Sequence, residues 1–253
     1  MRLDPEIFDA YWERGWVVVE RVFTAAAVDR IVELVARSCE EEIARQSDQS
    51  YFADRTAGGD VVPRKLDLPF LKHAEFRAFA MDVRLRALIE QLIGKPPMLV
   101  QDQIFMKPPR FGSAKPYHQD NAYFLSHPDD EVITAWIALD DVDASNGCLR
   151  YIEGSHRGPI LEHPPLPGEP YNISPAQEDI DINHEALACV GKGGVVFHHS
   201  KALHSSHRND SDRWRRAYAT HWASAEVTSE NETIAEAYYN AYSDLYEEAV
   251  GIR

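Results

Sequence analysis

The 253-residue sequence has few cysteines and no long apolar run. Its three cysteines, Cys39, Cys148 and Cys189, show no CxxC spacing, so we expect buried thiols in a reducing compartment rather than a disulfide framework. No apolar stretch approaches the roughly 18 residues of a transmembrane helix, and the N-terminus has no apolar signal core. We therefore expect a cytoplasmic protein without a secretory leader.

Basic residues are also scarce relative to acidic ones. The sequence has 26 Lys and Arg against 41 Asp and Glu, a formal net charge of −15. Such a balance argues against binding to nucleic acid or to an anionic membrane. The expected partner is a small-molecule substrate, with no nucleic acid and no membrane, and an anionic ligand requires a local basic pocket. We infer no oligomeric state from the sequence.

The length and composition are those of one globular domain. The hydrophobic share is 44% and the charged share 26%, and the sequence contains no repeat or interdomain linker. We predict a single domain over residues 1–253, with a helical flank over about 1–97, a β-rich core over about 98–223 and a helical tail over about 224–253.

Capping residues divide the first hundred residues into helices and one strand. Asp4-Pro5 is typical of a helix N-cap and first turn, and Gly15 is typical of a helix C-terminus. The predicted elements are a helix ending at Gly15, a strand over Trp16–Val19, a helix from Thr24 to about Arg45, and one amphipathic helix over Glu75–Ile93.

Short β-rich runs replace the helical pattern after Pro97. The predicted strands are Leu99–Met106, Val132–Leu139, Cys148–Ile152, Val195–His199 and Trp214–Trp222. Asn146-Gly147 predicts a β-hairpin between the second and third of them. Helices followed by many short strands indicate a β-sandwich or barrel with helices packed outside it.

Two segments beyond these strands carry weaker signals. The Pro-rich segment His163–Pro175 is interpreted as a long loop and a candidate lid. In the tail Thr233–Ala249, the spacing of Tyr238, Tyr242 and Tyr246 indicates an aromatic helix face packed on the body, with a ligand-lining role as the alternative.

The 11 histidines are not evenly distributed along the chain. His118 and Asp120 are two residues apart, so an extended segment directs both side chains to one side. With one distant histidine, this pair makes the two-histidine, one-carboxylate triad that leaves positions open on Fe(II). The alternative interpretation of His-x-Asp is a surface histidine beside a turn aspartate.

A second His-rich region, residues 193–222, ends in a predicted strand whose alternate residues share a face. Arg215, Ala217, Ala219 and His221 lie on one side of that strand. If this side faces inward, Arg215 is a buried guanidinium that requires an anion, and a carboxylate clamp is its natural use. The alternative is that Arg215 points outward.

Motifs along nearly the whole chain resemble the phytanoyl-CoA dioxygenase family of Fe(II)- and 2-oxoglutarate-dependent oxygenases. The matching segments are Tyr11 with Gly15–Val19, Arg64–Leu66, His118–Asp120, Trp136, Asn146–Leu149, Gly154–His156, Gly193–His199, Leu203–Ser206 and Arg215–Ala217. The resemblance implies an α+β fold, a double-stranded β-helix (jelly roll, cupin-like) with flanking N-terminal helices over a core of about 98–223.

The resemblance also implies a role for individual residues. It matches His118, Asp120 and His204 to the iron ligands, Arg215 and Ser206 to the clamp on the far carboxylate of 2-oxoglutarate, Gln119, Trp136, Gln103 and Lys65 to the cosubstrate pocket, and His199 to a structural histidine. Two departures from the family pattern add histidines. His198 stands in Phe197-His198-His199 where Phe-Phe-His is common, and His207 follows Ser205-Ser206 where Gly-Ser-Gly is usual. These two histidines are alternative ligands.

The implied reaction uses Fe(II), 2-oxoglutarate and O2, is supported by ascorbate in vitro, and releases succinate and CO2. The carboxylate of Asp120 argues against halogenation, because related halogenases have a small residue there, and hydroxylation is expected. The preferred substrate is a small polar metabolite or natural-product intermediate, and the candidate contacts are Tyr117, Asn121, Tyr123, Phe124 and the segment His163–Pro175. For the aromatic side chains, packing in the core is the alternative.

Three other functions remain open from the sequence. One is an acyl-CoA hydroxylase of the phytanoyl-CoA type, with Arg110 and Lys115 as candidate contacts to the CoA phosphates. The second is a catalytically silent metal-binding member of the fold, and the third is a non-enzymatic interaction protein on the same scaffold.

Overall fold

A computed structural model describes residues 1–45, 53–55, 59 and 61–231 of the chain. This part is a mixed α/β structure with antiparallel sheets. Within it, none of the helices has the length and apolar character required to cross a lipid bilayer. The predicted tyrosine face of Tyr238, Tyr242 and Tyr246 lies outside the described residues.

The first helix begins and ends, and the second begins, where the capping residues predict. Asp4 accepts a hydrogen bond from the Glu6 amide at 3.0 Å, and Gly15 ends the first helix in the left-handed conformation. Thr24 Oγ1 accepts from the Ala27 amide at 3.3 Å at the start of the second. The helices are α1 (Pro5–Arg14), α2 (Ala25–Arg45), α3 (Pro69–Lys72), α4 (Ala74–Ala80), α5 (Val83–Ile93) and α6 (Asn121–Phe124).

The prediction of one continuous helix over Glu75–Ile93 is wrong. The chain forms α4 and α5 with a break at Met81 and Asp82. The Asp82 carboxylate accepts a hydrogen bond from the Arg84 amide at 2.8 Å and so starts a new helix. An aspartate that bonds to nearby backbone competes with the helical ladder, and the apolar periodicity continues across the break and conceals it.

The five strands predicted after Pro97 are all present, and their ends lie within two residues of the predicted ones. The strands are β1 (Trp16–Val19), β2 (Ala53–Arg55), β3 (Val61–Pro63), β4 (Lys65–Asp67), β5 (Pro97–Lys107), β6 (Lys115–His118), β7 (Ser126–His127), β8 (Val132–Ala138), β9 (Leu149–Ile152), β10 (Pro165–Leu166), β11 (Glu169–Ile173), β12 (Glu185–Ala188), β13 (Val195–His199), β14 (His204–Ser206), β15 (Arg215–Ser224) and β16 (Thr228–Ser229).

Two antiparallel sheets pack against each other and enclose the site. The larger has the strand order β1-β13-β8-β15-β5-β4, and the smaller has the order β12-β9-β14-β6. The Tyr151 ring of the smaller sheet stacks on the Trp16 ring of the larger one, with centroids 4.9 Å apart. The other face of the larger sheet is covered by helices, whose side chains such as Val35 and Leu88 share one apolar core with Tyr218. We call the region between the two sheets the inter-sheet space.

The predicted boundary at residue 97 does not separate helices from strands. Both β1, which was predicted as a strand, and β4, which was not, lie in the predicted helical flank and form the two edges of the larger sheet. At the other end, β15 extends to Ser224 and β16 pairs with β7, so the predicted helical tail begins as strand.

The predicted hairpin at Asn146-Gly147 is also wrong, because β8 and β9 lie in different sheets. The turn chemistry is present. Asn146 Nδ2 donates to the Asp141 carbonyl at 2.8 Å, its Oδ1 accepts from the Asp143 amide at 2.9 Å, and Gly147 has φ +88°. The turn carries the chain across from one sheet to the other. The segment His163–Pro175, predicted as a loop, contains the small hairpin β10–β11.

Candidate metal centre

Three predicted ligands, His118, Asp120 and His204, come together at one point of the inter-sheet space. One donor atom from each lies within 4.8 Å of the others, and all three side chains are buried. His118 ends β6, Asp120 follows it, and His204 begins β14, where it is paired directly opposite His118. The pairing of β14 with β6 therefore brings His204 to the other two residues, and no local sequence pattern links it to them.

Hydrogen bonds to the backbone orient both imidazoles. Nδ1 of His118 lies 2.9 Å from the Pro116 carbonyl oxygen, and Nδ1 of His204 lies 2.9 Å from that of Ala202. A carbonyl only accepts, so Nδ1 carries the proton and the Nε2 lone pair is free. The two Nε2 atoms lie 3.6 and 3.7 Å from Asp120 Oδ1.

Charge and burial keep these groups in their metal-binding forms. Burial lowers the pKa of His118 well below its usual range and lowers the pKa of His204 to about 4, so both rings are neutral near pH 7. Burial alone would raise the pKa of Asp120, but the neighbouring histidines, chiefly His204 and His198, hold it well below its usual range. Two neutral imidazoles and one carboxylate are the donor set of the Fe(II) facial triad.

The second oxygen of Asp120 is bound to protein and not directed at the metal position. Asp120 Oδ2 accepts from Thr134 Oγ1 at 2.7 Å and from His198 Nε2 at 3.0 Å. His198 Nδ1 in turn accepts from the Tyr151 hydroxyl at 2.7 Å, and His221 Nδ1 donates to Thr134 Oγ1 at 2.8 Å. His198 thus orients Asp120 and is not directed at the metal position.

Sequence reasoning missed this network around Asp120. Thr134 and His221 are paired across β8 and β15, and Thr134 is also paired with His198 across β13. Only the pairing of the strands brings these residues together. His207, the other alternative ligand, is exposed and outside the cluster. His199 bonds to Asp130 at 3.0 Å, in keeping with the structural role predicted for it.

Arg215 points into the inter-sheet space, as the alternation along its strand predicts. The residue is only 3% exposed, its guanidinium lies 5.5 Å from the centre of the Trp136 ring, and its Nε has no hydrogen-bond partner in the part of the chain described. Burial lowers the pKa of Arg215 to about 9. The outward neighbour is Arg216, which forms an ion pair with Asp140 at 2.6 Å.

A second buried basic residue, Lys107, lies beside Arg215 and was not predicted. The two residues are paired across β5 and β15, and Lys107 is 5% exposed. Its Nζ donates to the carbonyl oxygens of Ser206 and His207, and neither Lys107 nor Arg215 has a carboxylate partner among residues 1–45, 53–55, 59 and 61–231. Burial first, and then the charge of Arg215, lower the pKa of Lys107 to about 5.

The residues of the inter-sheet space suit a dicarboxylate ligand such as 2-oxoglutarate. A buried guanidinium with an unsatisfied N–H is unfavourable unless an anion binds to it. Ser206 is buried two residues along β14 from His204, or about 7 Å of strand. The inter-sheet space therefore combines three metal-ligand atoms with Arg215, Lys107 and Ser206, and this set fits a chelating group at one end and a carboxylate at the other.

Three of the four remaining residues predicted to line the cosubstrate pocket lie on the larger sheet. Trp136 and Gln103 lie on the inner face of the larger sheet, each paired with Ala219, and Lys65 on β4 is paired with Phe105. Lys65 also forms an ion pair with Asp67 at 2.9 Å.

Gln119 differs from its prediction. Its side chain bonds to the backbone of Pro159 at 3.2 Å, Lys201 at 2.8 Å and Leu161 at 2.8 Å. The residue alternates with His118 and Asp120, so its side chain is directed away from the metal position. Gln119 holds the loop 159–163 in place, and its amide is not left for a cosubstrate.

Of the four single residues predicted to contact substrate, two lie beside the site. The Tyr123 ring meets the His118 ring edge-on at 5.8 Å, and Phe124 meets His221 at 4.9 Å. Asn121 is used in a turn, where it donates to the Ser126 carbonyl at 3.0 Å. The hydroxyl of Tyr117 donates to Glu185.

Two solved structures illustrate the fold that this chain shares. The carbocyclase SnoK from nogalamycin biosynthesis, described as a non-haem α-ketoglutarate-dependent enzyme, is 23% identical, with a TM-score of 0.68 over 90% of this chain and 87% of that one. EvdO2 from Micromonospora carbonacea var. aurantiaca, in complex with 2-oxoglutarate, is 22% identical, with a TM-score of 0.68 over 90% and 94%.

Curated relatives and a family model match at the level of sequence. The peroxisomal phytanoyl-CoA dioxygenase of Bos taurus is 29% identical over 85% of this chain and 67% of its own length. The phytanoyl-CoA dioxygenase domain-containing protein 1 of Mus musculus is 28% identical over 89% and 92%. The family model described as Phytanoyl-CoA dioxygenase (PhyH) matches residues 11–217, and the chain therefore belongs to the phytanoyl-CoA dioxygenase family.

Proposed function

We propose that this protein is a non-haem Fe(II)- and 2-oxoglutarate-dependent dioxygenase that hydroxylates a small-molecule metabolite or natural-product intermediate and releases succinate and CO2. The observation that carries the proposal is the placement of buried Arg215, whose Nε has no hydrogen-bond partner among the described residues, in the same inter-sheet space as His118, Asp120 and His204. We assign the two packed sheets to the double-stranded β-helix of this enzyme class.

Each residue of the site has a defined task in this proposal. His118 and His204 would hold Fe(II) through Nε2, and Asp120 through Oδ1, because their other polar atoms are bound to protein. Three protein ligands leave positions for 2-oxoglutarate and O2, and the bound metal supplies the oxidative chemistry. Arg215, with Lys107 and Ser206 beside it, would bind the far carboxylate of 2-oxoglutarate.

Asp120 also limits the reaction class. Asp120 would supply a carboxylate ligand where related halogenases have a small residue, and hydrogen bonds from Thr134 and His198 hold its Oδ2 in place. We therefore propose hydroxylation and not halogenation.

The alternative of an acyl-CoA substrate has less support from the structure. Of the two basic residues predicted to meet CoA phosphates, Arg110 is exposed and pairs with Asp212 on the surface. The curated relatives named for phytanoyl-CoA nevertheless make CoA thioesters a necessary arm of any substrate panel. A catalytically silent protein would have no use for the buried guanidinium of Arg215 beside the metal position, so we place this alternative lower.

Succinate formation from 2-oxoglutarate tests the proposal. Purified protein with Fe(II) and ascorbate should form succinate, slowly alone and faster with a true substrate. His204→Ala should abolish it, and Arg215→Met should raise the 2-oxoglutarate requirement at least about tenfold, the loss of one charge-assisted pair. Arg216→Met, which removes the neighbouring outward arginine, is the matched control. Wild-type protein that binds neither Fe(II) nor 2-oxoglutarate and forms no succinate would rule out the proposal.

A further inference from the structure

A third basic residue, Lys115, lies near the metal position and is separate from the pair formed by Arg215 and Lys107. It begins β6, the strand that ends at His118. Its Nζ donates to the Tyr123 hydroxyl at 3.0 Å and to Asn172 Oδ1 at 2.6 Å, and lies 5.1 Å from the centre of the Tyr123 ring. That ring contacts His118, so one aromatic side chain separates the ammonium group from a predicted iron ligand.

The partners of Lys115 are unusual for a lysine of this protein. Five of the seven lysines in the sequence form an ion pair with a carboxylate. In the described ranges, the two that do not are Lys107 and Lys115, and both lie beside the inter-sheet space. Burial first, and then the positive charge of Lys65, lower the pKa of Lys115 to about 8.

The acidic groups near Lys115 are already engaged. Asp120 directs one oxygen to the metal position and bonds through the other to Thr134 and His198. Glu169 accepts from Asn172 Nδ2 at 2.6 Å and so reaches Lys115 only through that amide. Lys115 is half-buried, and an ammonium group that is partly shielded from water and has only neutral direct partners favours an anion from outside the chain.

The hydrogen-bond donors that remain unused at Lys115 and Tyr123 match the two oxygens of a carboxylate. An ammonium group has three N–H donors, and Lys115 uses two of them. The Tyr123 hydroxyl accepts from Lys115 and from the Ile173 amide at 3.2 Å, and no acceptor for its own proton is found in the described part of the chain. One N–H and one O–H therefore remain, which is the number needed for the two oxygens of a carboxylate.

We propose that the substrate is an organic acid whose carboxylate binds to Lys115 and the hydroxyl of Tyr123, next to the metal position. The inference rests on the proposed function and adds the chemical class of its substrate. The hairpin β10–β11 supplies Asn172 and the Ile173 amide, so it holds both donors in place. The site is distinct from the Arg215 clamp because Lys115 bonds toward the hairpin and not toward Arg215.

Binding of acids and their amides tests this site. The protein is loaded with Mn(II), which prevents turnover, and with saturating 2-oxoglutarate, which fills the Arg215 clamp. Butanoate, octanoate and phenylacetate are then titrated, each beside its primary amide, and binding is measured by calorimetry. For the wild type we expect acids to bind about ten- to a hundredfold more tightly than amides, the worth of a charge-assisted hydrogen bond.

Substitutions assign the preference to its residues. Lys115→Met should remove the preference for acids, and Tyr123→Phe, which deletes one oxygen, should reduce it with the fold intact. Lys72→Met, a lysine paired with Glu42, is the control and should retain the full preference.

Three outcomes would overturn the proposal. They are acids that bind no better than amides, acids that do not bind at all, and a Lys115→Met variant that loses affinity for 2-oxoglutarate, which would assign the lysine to the cosubstrate. Failure of the proposed function would be distinguishable from failure of this inference, because the wild type would then not bind 2-oxoglutarate even before any acid is added.

Discussion

Asp120 shows how single residues define the centre, because its two oxygens have different tasks. Oδ2 accepts two hydrogen bonds, from Thr134 and His198, and this fixes the plane of the carboxylate with Oδ1 toward His118 and His204. Groups that orient metal ligands contribute to metal affinity although they never touch the metal.

Replacement of His198 by phenylalanine, the residue common at this position in the family, tests that orientation. His198→Phe removes one of the two hydrogen bonds to Asp120, and we expect Mn(II) or Fe(II) affinity to fall about tenfold to a hundredfold. Metal affinity is measured by competition with a chromophoric chelator. His207→Phe, an exposed histidine outside the network, should leave the affinity unchanged. Equal affinities in wild type and His198→Phe would contradict this role.

Removal of Arg215 should separate stability from ligand binding. Its buried charge has no carboxylate partner among the described residues, so Arg215→Met should leave the free energy of unfolding of the ligand-free protein unchanged or raise it. The same variant should lose the stabilisation that 2-oxoglutarate confers on the wild type. Urea unfolding with and without 2-oxoglutarate measures both effects. A strongly destabilised ligand-free variant would show that Arg215 is paired within the protein.

Among the elements, the break between α4 and α5 depends on one capping residue. Asp82→Ala removes the acceptor for the Arg84 amide, and we expect the free energy of unfolding to fall by about 1 kcal/mol. Urea denaturation measures the change. Glu90→Ala, on the exposed side of the same helix, is the control and should have little effect. If Glu90→Ala lowered the free energy of unfolding as much as Asp82→Ala does, the N-cap at Asp82 would have no specific stabilising role.

The strands also decide which residues meet at the site. Pairing of β15 with β8 sets Ala219 against Trp136 and His221 against Thr134, so alternate positions along one strand serve the clamp and the metal centre. The two alanines on that face, Ala217 and Ala219, leave room between the sheets for a ligand.

At the scale of the whole molecule, buried neutral histidines make stability depend on pH. Burial lowers the pKa of His199, His204 and His221 to about 4, against about 6.5 in the unfolded chain. The unfolded state therefore binds protons more readily below pH 6.5. The stabilisation is complete above that pH and is lost as the pH falls toward 4.

We expect the free energy of unfolding of the metal-free protein to fall by about 1.4 kcal/mol per pH unit for each such histidine between pH 6.5 and 4. His199 bonds to Asp130 and lies outside the metal centre. The His199→Gln variant should therefore lack the contribution of one histidine to that slope. Chemical unfolding over this pH range in the presence of a chelator measures the slope. An unchanged slope in the variant would mean that His199 is protonated in the folded state.

Local rules of the chain were enough to predict several parts of the protein. The spacing of His118 and Asp120, the alternation that turns Arg215 inward, and the caps at Asp4 and Gly15 each depend on residues close in sequence. The resemblance to a family added His204, which no local pattern links to the other two.

Only the tertiary structure decided which residues surround these groups. It placed Lys107 beside Arg215, directed Gln119 to a loop and not to the pocket, and used the Asn146-Gly147 turn to cross between sheets. The physical reason is that neighbours across a sheet are set by strand order and register, which join positions far apart in the chain. Hydrogen-bond partners of buried groups follow from that pairing, and the sequence alone carries no record of it.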